Sequence, residues 1–387
     1  MKIKARPEDF IVEEILAVQP LDRGPFTLLR AKKRGLNTSD AVREIAAVLR
    51  KPLRDIAYGG RKDKHACATQ FITVKGKTAC RLPQRTALHT EIAGYLDRPM
   101  GPDLIAGNTF NITVRDLNKE EIDVSSQGLK AVSRDGFLNY FDNQRFGPFD
   151  PLQGFLGEKI VKKHFNGALK FYLTHAGSED GKEDLCRKQF FFEKWGDWAA
   201  CLAASATPWE QQCFSHLSSH PKDFVFILRR IPSRELAFHF ASFQAFLWNE
   251  ILRRMVRRAT QQTILYPGLA GDYVFAEESL AIENTSIPTP SARMDLKDPQ
   301  IDREYRRLFE ERTLKTSHFN LTKIRQAYFK SVERPAAVKP LNLAFAFEND
   351  ETSKAKNKMT LVFTLPRGAY ATMLIKRLFA RHGHLAA

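Results

Sequence analysis

The chain has little of what announces a cofactor or an export route. Its 387 residues include five cysteines (Cys67, Cys80, Cys186, Cys201, Cys213), odd in number and without a Cys-x-x-Cys pair. That argues against a disulfide framework and for a reducing, cytoplasmic setting. No apolar run is long enough to cross a bilayer, and residues 1–9 lack the apolar core of a secretory signal. No membrane partner is expected. No Gly-x-Gly-x-x-Gly follows a strand pattern, which argues against a dinucleotide. Gly76-Lys77-Thr78 imitates the end of a phosphate-binding loop, but the glycine needed five positions earlier is Phe71. A nucleotide cofactor is therefore not expected. Cys213, His216 and His220 have metal-like spacing without an evident fourth ligand, and an exposed helix face is the preferred reading over zinc. His382 and His384 are read as part of a mobile C-terminus.

Acidic residues are also scarce. Sixty Lys plus Arg against forty-four Asp plus Glu leave a net charge of +16. Such an excess attracts polyanions, above all nucleic acid. The basic residues are spread through segments with apolar periodicity, so they decorate folded surfaces rather than a tail. Most of the 29 phenylalanines are expected in the core.

What stands out is Gly59-Gly60-Arg61-Lys62-Asp63-Lys64-His65. A glycine pair permits a tight turn at positive φ, and the carboxylate after it lies between two lysines. Neighbouring positive charge keeps a carboxylate ionised. An ionised aspartate on a tight loop of a basic protein is a candidate nucleophile; the alternative is a solvated surface loop. The flanking pattern predicts short strands at Ile56-Ala57-Tyr58 and Gln70-Phe71-Ile72-Thr73-Val74, so the loop projects from a rigid base.

Around it, strands are expected at Phe10-Ile11-Val12 and over 26–31. A helix capped by Asn37 follows on Val42, Ile45, Ala46 and Leu49 and stops at Pro52. A further strand is expected over 108–115, a helix through 128–132, and a strand over 361–366 leading to a final helix through Leu374 and Leu378. From about 152 the texture is helical, with Phe240, Phe243, Leu247, Ile251 and Met255 on one face. Arg253, Arg254, Arg257 and Arg258 end that helix, either gripping phosphates or complementing the helix dipole. Arg303, Arg306, Arg307 and Arg312 mark another basic helix, and residues 284–299 read as a loop. Asn139-Tyr140-Phe141-Asp142-Asn143-Gln144-Arg145-Phe146-Gly147 interleaves aromatics, amides and an arginine.

Together these motifs resemble the TruD family of tRNA pseudouridine synthases. Lys4-Ala5-Arg6-Pro7-Glu8-Asp9-Phe10 is similar to its opening Lys-x-x-Pro-Glu-Asp-Phe segment, and Gly60-Arg61-Lys62-Asp63-Lys64 to its Gly-x-Lys-Asp-Lys/Arg signature. Asn139-Tyr140-Phe141 with Gln144-Arg145-Phe146-Gly147, Gly107-Asn108-Thr109-Phe110 and Leu365-Pro366-Arg367-Gly368-Ala369-Tyr370-Ala371-Thr372 follow in the family's order. Five positions depart from it. Asp142 replaces a glycine, which puts the loop backbone in question, Leu138 replaces a proline, Ala68 a threonine, and Lys376-Arg377 an Arg-Glu pair.

The resemblance implies an α+β fold: a pseudouridine-synthase-like mixed sheet flanked by helices, with a second, mostly helical inserted domain. It puts the catalytic domain at 1–155 plus 336–387, and at 156–335 an insertion forming the other wall of an RNA-binding cleft. It implies isomerisation of a uridine in tRNA, uridine 13 of the D-arm region, by a monomer without cofactor or metal. Asp63 would be catalytic, acting at ribose C1′ or C2′, and Lys4 would pair with it. Phe141 would stack on the flipped base, Asn139 would bond base or sugar edges, and Lys64 and Arg145 would meet phosphates. A non-catalytic RNA-binding protein is the rival reading. An RNA methyltransferase is a second, lacking its glycine-rich cofactor loop.

Overall fold

The computed structural model describes residues 1–78, 82–177, 180–277, 280, 282, 284–353 and 356–380. Cys80, His382 and His384 lie outside the described residues. The chain divides into two compact units, one of Met1–Phe137 with Val338–Ala387 and one of Leu138–Ala337. The boundaries expected above were 155 and 335, whereas the seams between these units fall after Phe137 and Ala337.

The first unit is built on a ten-stranded mixed sheet. Its main strands are β1 (Phe10–Leu16), β2 (Phe26–Arg34), β3 (Ile56–Tyr58), β4 (Cys67–Lys75), β5 (Leu88–Leu96), β6 (Ile105–Leu117), β7 (Leu341–Asn349) and β8 (Asn357–Pro366). They run in the order β7-β8-β6-β1-β4-β2-β5, and β3 pairs with β4. Neighbours in this order are antiparallel except β1 and β4, which run parallel with Ile11 beside Cys67 and Val12 beside Ala68. The alternation of each strand decides its buried face: Phe10 and Val12 in β1, Ile112 and Val114 in β6, Leu361 and Phe363 in β8.

Helix α1 (Thr38–Leu49) buries Ala41, Val42, Ile45 and Ala46 in one cluster with Leu29, Ala31, Ile72 and Val74 of the sheet. Asn37 occupies the N-cap position, but its side chain makes no capping bond. Its carbonyl accepts from the Asp40 and Ala41 N–H groups (3.2 and 3.1 Å). Helix α2 (Lys119–Asp135) begins with a reciprocal cap between Asn118 and Glu121, both bonds 2.8 Å. The closing helix Ala371–Leu378 packs on α2 at Gly128, where a Cβ would lie 2.8 Å from the Leu378 carbonyl oxygen.

A buried ion cluster ties the β7–β8 turn to the rest of this unit. Arg115 of β6 donates to Asp9 (2.8 Å), Asp350 (3.0 Å) and Glu351 (2.9 Å). Asp350 also accepts from the Asp116 N–H (2.9 Å). The guanidinium thereby joins Asp9 to the adjacent Asp350 and Glu351 of the turn, and removing the buried Asp9 or Asp350 leaves buried charge uncompensated.

The second unit is largely helical. Its long helix α3 (Ser233–Ala259) buries Phe240, Phe243, Leu247, Ile251 and Met255, the face read from the sequence, and Trp248 beside them. The arginines near its end have protein partners. Arg253 is buried, pairs with Glu250 and donates to the Ala270 carbonyl (3.0 Å). Arg254 pairs with Glu311, and Arg258 with Glu304 (2.9 Å), both on α4 (Pro299–Glu311). These three clamp α3 to its neighbours, while Arg257 is exposed. The segment expected to be a loop over 284–299 contains a strand, Ser286–Pro288, paired with Glu333–Pro335. One fully buried residue, Ile287, anchors it among turn-forming neighbours, too little periodicity to read from composition.

Among the described residues no group of His, Cys, Asp and Glu is placed to hold a metal ion. His216 lies against Phe226 (3.8 Å between ring centroids) and His220 (4.8 Å), while Cys213 is buried. No helix among those residues is long and apolar enough to cross a membrane.

Candidate active site

The parallel pairing of β1 and β4 brings Lys4 and Asp63 together. Lys4 lies upstream of β1 and Asp63 upstream of β4, so the lead-in segments of two adjacent parallel strands meet at one end of the sheet. Lys4 Nζ donates to Asp63 Oδ2 in a close ion pair. Asp63 Oδ1 accepts from the His65 N–H (2.9 Å). Burial pushes the Asp63 carboxyl up, but the Lys4 bond and charge and the His65 N–H outweigh it, and the net shift is below the ordinary value. The group is ionised and a quarter exposed, still open to a ligand. Lys4 has φ +58°, a left-handed conformation that costs a non-glycine residue on the order of 1 kcal/mol. Its ammonium also lies over the Phe10 ring at 4.5 Å.

Beneath the loop is a group that sequence reasoning missed. Lys33 Nζ donates to the Asp63 main-chain carbonyl (2.6 Å) and to that of Leu36 (2.8 Å). Only 1% of Lys33 is exposed. Burial pushes its pKa down to about 8, opposed by the Asp63 charge and assisted by that of Lys62. The strand's own alternation carried the signal, because Leu29, Ala31 and Lys33 share the inward face of β2 within a basic run.

Lys62 differs from its expected part as electrostatic framing of the aspartate. Its ammonium pairs with Glu14 (3.0 Å) and bonds Asn108, and its N–H donates to Thr38 Oγ1 (2.9 Å). It anchors the loop to β1, β6 and α1. Lys64 is exposed and, among the described residues, has no hydrogen-bond or ion-pair partner. The glycines also differ from expectation, since neither Gly59 nor Gly60 has positive φ. Gly59 is required by space: a Cβ there would meet Ile105 Cδ1 at 2.3 Å and the Gly101 carbonyl at 3.0 Å, whereas nothing lies within 4 Å at Gly60.

Asn139, Phe141 and Arg145 belong to the second unit. Tyr140 anchors their segment, fully buried with its hydroxyl donating to the Val274 carbonyl (2.9 Å). Asn249 of α3 holds the Phe141 main chain from both sides: its Oδ1 accepts the Phe141 N–H and its Nδ2 donates to the Phe141 carbonyl, each at 2.9 Å. The Phe141 ring is half-buried, edge-on to Trp248 (5.4 Å), with the Arg334 guanidinium 4.1 Å and that of Arg145 5.6 Å from its centre.

Asn139 has different partners from those expected. It is buried; its Oδ1 accepts from Arg334 (2.7 Å), its Nδ2 donates to the Pro335 carbonyl (3.0 Å), and its own carbonyl accepts from Arg334 again (2.7 Å). It positions Arg334 against Phe141. Asp142 has φ −88°, so aspartate replaces the expected glycine without backbone strain. Arg334 and Asn249 were missed because each is a single polar residue whose partners are distant in sequence. A lone asparagine on the buried face of α3 was the available sign.

The fold has a solved counterpart. It matches the crystal structure of the Methanosarcina mazei TruD with a TM-score of 0.73 at 21% identity, over 98% of this chain and 93% of that one. It is a mixed α+β fold whose central sheet is flanked by helices. Residues 1–378 match the family model described as tRNA pseudouridine synthase D (TruD). Relatives of that name from Leptospira interrogans and Aquifex aeolicus are each 28% identical over 98% of this chain, covering 96% and 98% of their own lengths. The chain belongs to the tRNA pseudouridine synthase D family: it is a tRNA-modifying isomerase, and not a mere RNA binder or a methyltransferase.

Proposed function

We propose that the chain converts uridine 13 of tRNA to pseudouridine, with Asp63 as the reacting carboxylate. The observation that carries this reading is the paired, ionised and still accessible Asp63. Pseudouridine formation breaks the bond from ribose C1′ to uracil N1, turns the base and rejoins it through C5, with the C5 proton lost and one returned to N1. Atoms and electrons balance without a donated group, so the work falls on positioning and charge. Asp63 either adds to C1′ or takes the C2′ proton, and both routes begin from the ionised carboxylate that Lys4 maintains.

The flipped uracil stacks on Phe141, on the ring face opposite Arg334. Asn139 and Asn249 act through that ring as positioning residues, one by holding Arg334 and the other by holding the Phe141 main chain. Lys64 and Arg145 meet tRNA phosphates. In this reading the first unit is the catalytic domain and the second an inserted RNA-binding domain. The test is purified protein with unmodified tRNA and no added cofactor, followed by chemical mapping of pseudouridine. The expected product is pseudouridine at position 13, and Asp63→Asn is expected to remove it while tRNA binding persists. Product from the Asp63→Asn protein would overturn the assignment.

A further inference from the structure

The second unit carries two adjoining concavities outside the Phe141 region. The larger, about 760 Å³, is floored by the buried rings of Phe319 and Phe329. It is rimmed by Arg293, Arg325, Lys330 and Tyr328. The smaller, about 180 Å³, shares Asn320 and Leu321 with it and adds Lys163 and Lys323. No aspartate or glutamate lines either one. The contrast with the arginines of α3 is informative. There Arg253, Arg254 and Arg258 each meet a carboxylate. Here, among the described residues, the side chains of Arg293 and Lys330 have no hydrogen-bond or ion-pair partner, and that of Arg325 uses only its Nε, on the Thr322 carbonyl (2.9 Å). Cations gathered around one concavity without a counter-charge repel one another, and a polyanion relieves that repulsion. Tyr328, 72% exposed among them, offers an aromatic face with no apolar surface covering it.

We propose that this surface docks a stretch of tRNA backbone away from the reacting uridine, its phosphates on Arg293, Arg325, Lys330, Lys163 and Lys323 and one unpaired base on Tyr328. The pairing of cations with an exposed ring is the chemistry of single-stranded nucleic acid. The proposal rests on tRNA being the substrate; it does not rest on Asp63 being the reacting group. The surface sets affinity and which RNAs are accepted, and it takes no part in the bond changes.

The test uses the full chain and unmodified tRNA. The triple variant R293A/R325A/K330A is expected to raise KM at least tenfold while kcat stays within twofold. The slope of log affinity against log salt should fall by about 2 to 3, one phosphate contact per cation removed. Tyr328→Ala should weaken binding roughly fivefold or more with the salt slope unchanged. Wild-type affinity and slope in both variants would overturn the proposal, as would a fall in kcat at saturating tRNA with KM unchanged. If the triple variant fails to fold by circular dichroism, Arg325→Ala and Tyr328→Ala read the same quantities singly. Asp63→Asn protein run in parallel separates the two readings: retained turnover there would overturn the role of Asp63 and leave the docking measurement standing.

Discussion

Lys33 lies beneath the loop of Asp63 and donates 2.6 Å to its main-chain carbonyl. A buried lysine with its charge beside a carboxylate both orders that loop and adds to its field. Its pKa is depressed, to about 8 against an ordinary 10.5. The charge is therefore present below about pH 8 and lost above it. Between those values the unfolded chain binds more protons than the folded one, so this residue's contribution to stability rises with pH there. The activity should do the opposite. Wild-type kcat is expected to decline as pH passes about 8, and Lys33→Met to lower kcat about a hundredfold and abolish that alkaline limb. A pH–rate profile of both proteins checks it.

Lys4 holds the other side of the same carboxylate. Removing it leaves burial as the larger influence on Asp63, and burial raises a carboxyl. In Lys4→Met the acid limb of the kcat profile is expected to move upward. The sign follows from the wild type, whose Asp63 stays charged below the ordinary carboxylate value. Measuring kcat from acid to neutral pH decides it; an unmoved limb would exclude Lys4 as the ionising partner.

Asn249 satisfies both main-chain groups of Phe141. Asn249→Ala leaves a donor and an acceptor unpaired beside a buried helix face, a loss of about 2 kcal/mol or more. Asn249→Asp keeps the acceptor but not the donor and should lie between. Urea unfolding gives the stabilities, and kcat should fall with the Phe141 position in the same order.

The two loop glycines should separate cleanly. Gly59→Ala forces a methyl into Ile105 and the Gly101 carbonyl and is expected to cost about 1–3 kcal/mol. Gly60→Ala meets nothing and should stay within about 0.5 kcal/mol of wild type. Thermal melting of the two variants makes the comparison.

Legibility from sequence tracked the range of the interaction. Strands β1, β2, β4, β6 and β8 and helix α3 were readable because alternation or helical spacing is written locally along each segment. Lys4 and Asp63 were readable because each stands in a short motif, but the parallel pairing that joins them is a property of the sheet. Lys62 was misread for the same reason. Adjacency in sequence suggested that it faces Asp63, whereas its partners Glu14 and Asn108 come from two other strands. Arg334 had no local pattern at all, and Asn249 only its place on the buried face of α3. The terminal arginines of α3 illustrate the limit in the other direction: a basic cluster reads alike whether it meets phosphate or glutamate, and only Glu250, Glu304 and Glu311 distinguish the cases.

The place of β8 has a consequence for biosynthesis. It sits between β7 and β6, and its register with β6 runs from Asn357 opposite Leu117 to Pro366 opposite Gly107. On the ribosome β6 emerges long before β8, with all of the second unit translated in between. During that interval one edge of β6 presents unpaired N–H and carbonyl groups beside Phe110, Ile112 and Val114, which invites pairing with another chain. The sheet that carries Asp63 is closed only by the last part of the chain, so nascent protein needs protection of that edge, and interrupted translation yields a fragment prone to aggregate.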